Sequence, residues 1–175
     1  MAALVYLVNT LLSLYLLAVL LRLMLQWARA DFRNPLARSL LQITNPVVVP
    51  LRRVLPAMGR IDTATVLLLL ALVLLRAAVP WLLSGIGLPP WTLWLQLAAV
   101  QLLKTLLWTY FLAIVFYSLM SMLAPDAYNP SLSLLASVCE PLLRRVRRLI
   151  PPLGGIDFSP MWVCIAIQAL LILLG

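Results

Sequence analysis

The constraint that decides what this chain can fold into is the length of its apolar runs. A helix must stay apolar for about 20 residues to cross a hydrocarbon core about 30 Å thick. Four stretches reach or approach that length. The first runs from about Leu4 to Trp27 and carries one charge, Arg22, near its end. The second runs from Thr63 to about Leu83 and is interrupted by Arg76 and Pro80. After the turn-forming "SGIGLPP", the third lies within Trp91 to Leu123. That is too long for one crossing, so it is expected to cross from about Ala98, with Trp91 and Trp94 at the interface where indole prefers to sit. The fourth runs from Phe158 to Gly175. A soluble domain is about 25% charged; this chain is 10% charged and 65% hydrophobic. The reading is an all-α membrane protein with four transmembrane helices. The first run has no basic segment before it and is too long for the core of a signal peptide, so it is expected to be retained as a span.

Charge placement sets the expected orientation. Six arginines (Arg29, Arg33, Arg38, Arg52, Arg53 and Arg60) fall between the first two spans, and four (Arg144, Arg145, Arg147 and Arg148) between the last two. The connection 84–97 and both ends of the chain carry none. Lysine and arginine accumulate in cytoplasmic loops, so both long segments are expected in the cytoplasm and both termini outside.

The two basic segments are copies of one another. At an offset of 95, Asn34-Pro35 aligns with Asn129-Pro130, Pro46 with Pro141, and Arg52-Arg53 with Arg147-Arg148. In the same register Gly59 aligns with Gly154, and Ile61-Asp62 with Ile156-Asp157. Landmarks of four residue types in one register indicate an internal duplication, with copies at 1–88 and 89–175. Each copy is helix, interfacial segment, helix. Two crossings return the chain to its starting side, so the copies are expected to be parallel.

Within the second copy, "PLLRRVRRLI" (Pro141 to Ile150) places its apolar residues on one helical face and Arg144, Arg145, Arg147 and Arg148 on the other. This predicts a short amphipathic helix at the membrane surface, with Pro141 at its first position. The first-copy equivalent carries Pro50, where a kink or shortening is expected. Gly59, Gly154 and Gly155 then permit a reversal into the next span. Asp62 and Asp157 stand where a carboxylate can cap the incoming helix, and Ser159-Pro160 offers an alternative cap. Ion pairs from these aspartates to Arg52/Arg53 or Arg147/Arg148 are compatible with capping.

Chemistry is bounded by what is missing. There is no histidine, and Cys139 and Cys164 do not form a CxxC pair. No nucleotide-binding or nucleophile-elbow motif occurs. The expectations are no enzymatic activity, no cofactor, no metal and no nucleic-acid partner.

The string "NPSLSLLASVCEPLLRRVRRLIPPLGGIDFSP" before an apolar run resembles the YggT family of small bacterial membrane proteins and their plastid relatives. The resemblance covers the whole chain as the two-copy form. The first copy departs from the pattern at Arg60, at Thr63-Ala64-Thr65, and at Asn45 where Glu140 stands. It implies a bacterial inner-membrane protein associated with osmotic stress and potassium balance; plastid relatives are linked to haem attachment to a b-type cytochrome. Two functional readings stand open. One is a scaffold or assembly factor whose basic cluster (Arg52, Arg53, Arg144, Arg145, Arg147 and Arg148) faces anionic lipid or a partner, with a homo-oligomer or another membrane protein as candidates. The other is an oligomeric conductor of ions or small solutes.

Overall fold

The computed structural model describes residues 2–55, 62–85, 87–123, 130–150 and 157–175. Among these residues all regular structure is helical: α1 (Ala2–Trp27), α2 (Pro35–Val54), α3 (Thr63–Leu83), α4 (Trp91–Leu123), α5 (Pro130–Leu149) and α6 (Ser159–Leu173). Three of them, α1, α3 and α4, are long and apolar enough to cross a membrane. The fourth expected span is shorter than its apolar run. With 15 residues, α6 extends about 22 Å at 1.5 Å per residue, because it opens at Ser159 and closes at Leu173.

The chain divides into two compact units. Unit 1 takes Met1–Leu23 with Leu40–Thr105, and unit 2 takes Met24–Ser39 with Leu106–Gly175. These units do not follow the sequence copies at 88/89, since α1 and α4 each run through a unit boundary.

In unit 1 the apolar rows of α3 read Ala64, Leu68 and Leu72, then Thr65, Leu69, Val73 and Ala77, all buried. Both rows follow the four-residue spacing that puts side chains on one helical face. Leu16, Val19 and Leu20 of α1 and Val48 of α2 are buried as well. The α3–α4 turn uses Gly85 (φ +73°) and Gly87 (φ +86°), a backbone region in which other residues are strained. α4 then starts at Trp91, and Trp94 donates its indole N–H to the carbonyl of Leu74 at 2.9 Å. The helix is therefore already formed and anchored ahead of Ala98.

Unit 2 is built on Ile114 of α4, Cys139 and Leu143 of α5, and Val163, Ile167 and Leu171 of α6. α5 packs on α6 through these rows. Its outward face is polar, which makes α5 amphipathic over its whole length.

Both connecting helices correct the sequence expectation. α5 begins at Pro130, not at Pro141, and α2 runs through Pro46 and Pro50 to Val54 without being shortened. Residues 130–140 already bury Leu134, Val138 and Cys139 at helical spacing, so the helix is established before Pro141 is reached. The position suited to proline, the first of the helix, is occupied by Pro35 and Pro130 instead. Pro46, Pro50 and Pro141 all lie on exposed faces, where solvent can serve the carbonyls that lose a helical donor. Asn34 explains the Asn-Pro landmark. Its side-chain oxygen accepts the N–H of Leu36 at 3.0 Å and caps α2.

Truncating the unit 2 core leaves a cavity, so Leu143→Ala should lower stability by about 2–5 kcal/mol. Ile172→Ala, at a site 77% exposed, should change it by less than about 0.5 kcal/mol. Unfolding of the two variants in mixed micelles measures the difference.

Candidate functional site

Each unit carries a cluster of charged side chains where the amphipathic helix gives way to the next apolar helix. In unit 1 the anchor is Asp62, 6% exposed. Arg52 reaches it with Nη2 at 2.5 Å and Nε at 3.2 Å. The hydroxyl of Thr65 donates to the same carboxylate at 2.5 Å. Arg22, 1% exposed, completes the cluster from α1: its Nη2 lies 3.9 Å from Asp62, and its Nη1 donates to Thr44 Oγ1 at 2.6 Å and Asn45 Oδ1 at 2.8 Å. Asp62 holds the position of a helix N-cap but makes no side-chain cap bond. Two guanidinium groups and Thr65 claim its oxygens, and a charged donor outcompetes a backbone N–H.

In unit 2 the anchor is Arg147. It makes a two-pronged pair with Glu140, Nη1 to Oε2 at 2.9 Å and Nη2 to Oε1 at 3.1 Å, and reaches Asp157 with Nε at 2.6 Å. Tyr117 of α4 donates its hydroxyl to Glu140 at 2.6 Å. Asp157 accepts the N–H of Ser159 at 2.9 Å and also the Ser159 hydroxyl. Here the aspartate does serve the first N–H of the helix, with Pro160 just inside it.

Electrostatics outside the spans follow these contacts. The hydrogen bond to Asp62 pushes the Arg52 guanidinium above its ordinary range, and that to Glu140 does the same for Arg147. Burial pulls Glu140 upward, but its bonds from Arg147 and Tyr117 outweigh that and hold the carboxyl below the usual range. Asp157 likewise sits low, burial being outweighed by Ser159 and Arg147. Cys139, wholly buried, has its thiol pushed up to about 12 by burial and by Glu140. It is an inert core residue.

The structure thus divides the basic cluster read from the sequence. Arg52 and Arg147 are the residues paired to the two aspartates; Arg53, Arg144, Arg145 and Arg148 are exposed and make no ion pair among the described residues. Gly59, Gly154 and Gly155, assigned to the reversals, lie outside the described residues. No group of three or more metal-ligating side chains occurs among the described residues. Two members escaped the motif reading, Arg22 and Tyr117. A signal for them exists: the offset of 95 that aligns Asn45 with Glu140 also aligns Arg22 with Tyr117. The clusters occupy equivalent positions with different chemistry.

Long apolar helices joined by amphipathic ones, with each junction fastened by an arginine–aspartate pair, define a helical membrane protein. The sequence model of the CCB3/YggT family matches residues 1–83 and 96–175, so the chain belongs to that family. An uncharacterized protein of Pseudomonas aeruginosa is 38% identical over 167 residues, covering 95% of this chain and 85% of the relative. The uncharacterized protein YggT of Escherichia coli strain K12 is 38% identical over 161 residues, covering 92% and 83%. An uncharacterized protein of Vibrio alginolyticus is 34% identical over 171 residues, covering 97% and 92%. No solved structure matches the chain.

Two predictions follow from burial and from the carboxylates. Asp62→Asn strands two arginines around a buried site and should cost about 3–5 kcal/mol. Asp157→Asn, at a site 34% exposed, should cost about 1 kcal/mol or less. Unfolding free energies of the two variants measure the contrast. Glu140 and Asp157 have depressed folded pKa values, so their stabilisation is present above the unfolded carboxylate range near pH 4 and is lost as pH falls through the lower folded values. The stability gap between the wild type and a Glu140→Gln, Asp157→Asn double variant should hold steady from about pH 8 to about pH 5 and close below about pH 4.

Proposed function

We propose that this protein is an integral membrane scaffold or assembly factor whose basic cytoplasmic face engages anionic lipid or a membrane-protein partner. The observation that carries this reading is the outward set of Arg144, Arg145 and Arg148 on α5. Their neighbour Arg147 is consumed by Glu140 and Asp157, so a structural use of the cluster accounts for one arginine and leaves three. Each arginine near an anionic surface contributes about 1 kcal/mol.

In this reading α1, α3, α4 and α6 are four crossings of a bacterial inner membrane, arranged as two parallel helix–interfacial segment–helix repeats. Both basic segments lie in the cytoplasm and both termini outside, following the positive-inside rule. The relatives all come from bacteria, and α6 is accommodated as a short span by local thinning of the bilayer or by a second copy of the chain. The protein has no catalytic role and no nucleic-acid partner. Conduction of ions finds less support. Among the described residues, α1, α3 and α4 contain no acidic side chain, and the most buried charge, Arg22, is bonded to Thr44 and Asn45.

Full-length protein in vesicles containing a labelled anionic lipid tests the reading. Replacing Arg144, Arg145 and Arg148 with Gln should remove about 3 kcal/mol of lipid association, roughly a hundredfold, without unfolding the chain. Unchanged enrichment of the anionic lipid around the triple variant would overturn the lipid-facing role. A reporter fused after Gly175 should be active on the outer side, and cytoplasmic activity would invert the topology.

A further inference from the structure

We infer that the charged cluster of unit 1 is a binding site for a phosphate-type oxyanion, held by Arg22 and Arg52. An offset of 95 relates the members of the two clusters. Arg52 and Asp62 correspond to Arg147 and Asp157, while Arg22 and Asn45 correspond to Tyr117 and Glu140. In unit 2 one guanidinium faces two carboxylates, with Tyr117 as a neutral donor. In unit 1 two guanidinium groups face one carboxylate, with Asn45 as a neutral acceptor. Among the described residues, the unit 1 cluster therefore holds one positive charge in excess, where the unit 2 cluster holds one negative charge in excess.

That charge is far from exposed. Arg22 is 1% exposed, and Thr44 and Thr65 beside it are fully buried. Among the described residues the one carboxylate of Arg22, Asp62, is shared with Arg52, which holds it more closely, and a buried ion that shares its counterion is costly. Thr44 and Asn45 take one nitrogen of Arg22, whereas its Nε finds no acceptor among the described residues. A guanidinium edge with a free N–H presents the fork geometry that suits the oxygens of phosphate. The site also adjoins the first turn of α3, whose N–H groups receive no cap from the Asp62 side chain and attract anions. Arg52 is 42% exposed and leads from the buried cluster to the surface. Two sources carry the same chemistry, inorganic phosphate and the phosphodiester of a lipid headgroup.

The test uses the full chain in an uncharged detergent and follows thermal unfolding. Inorganic phosphate is titrated at constant ionic strength against chloride, and short-chain phosphatidylglycerol is titrated separately. The wild type should show a saturable rise in Tm with one of the two. A response to inorganic phosphate identifies a free anion; a response to the lipid alone identifies a headgroup. Asn45→Asp gives the cluster its own second carboxylate, as Glu140 does in unit 2, and should weaken the response by more than about tenfold. Arg22→Lys keeps the charge and removes the fork, so it should weaken the response even if Asn45→Asp proves poorly folded. Glu140→Gln, in unit 2, should leave the response intact. Absence of a saturable rise with either ligand overturns the site. So does a rise that survives both Asn45→Asp and Arg22→Lys, since it would then belong to the exposed arginines.

Discussion

An arginine and an aspartate ten residues apart, one at the end of an amphipathic helix and one at the start of an apolar helix, govern both halves of this chain. The connecting segment must change from a helix with a wet face to one that is apolar all round. The pair fastens that change at a defined place. Arg52–Asp62 and Arg147–Asp157 make the same connection in settings of different accessibility, and the difference decides how much each is worth. A pair closed off from water is strongly destabilised when one partner is removed, whereas a half-exposed pair is screened.

What surrounds each pair differs. Unit 1 recruits a cation from its long helix and balances it with an amide; unit 2 recruits a carboxylate from its amphipathic helix and balances it with a phenol. Either change alone would pair an arginine with a glutamate or a phenol with an amide, and would leave the net charge of the cluster different from that of both units. The coupling of the two positions keeps the hydrogen bond between them while reversing the sign of the surplus charge. Two segments can therefore hold the same arginine–aspartate pair while differing in electrostatic character.

Much of this was legible in the sequence, for physical reasons that also explain the exceptions. The boundaries of α3 were readable because its apolar run starts directly after Asp62 and ends at the Ser84-Gly85 turn, at Thr63 and Leu83. The ion pairs were readable as one option because Arg, Arg and Asp recur in a fixed register. The start of α5 was not. A proline inside "CEPLLRR" signals a helix start only when nothing upstream already holds a helix, and Leu134, Val138 and Cys139 do hold one. The cap expected of Asp62 also failed to appear, because a local rule about backbone N–H groups cannot see two arginines arriving from other helices. Arg22 stood in plain view as a blemish in an apolar span. Its meaning depends on which side chains the fold brings to it, and those lie 22 and 23 residues away in the chain.

The prolines of α2 have a consequence of their own. Without N–H groups at Pro46 and Pro50, the carbonyls of Gln42 and Pro46 lack their helical donors, and both prolines lie on the exposed side of the helix. Hydrocarbon offers no replacement donor, so a backbone oxygen in that state has to meet water or headgroups. This sets a limit on how deep α2 can sink into a bilayer, and the limit comes from the main chain alone. Neutralising every arginine on the helix would leave it in force.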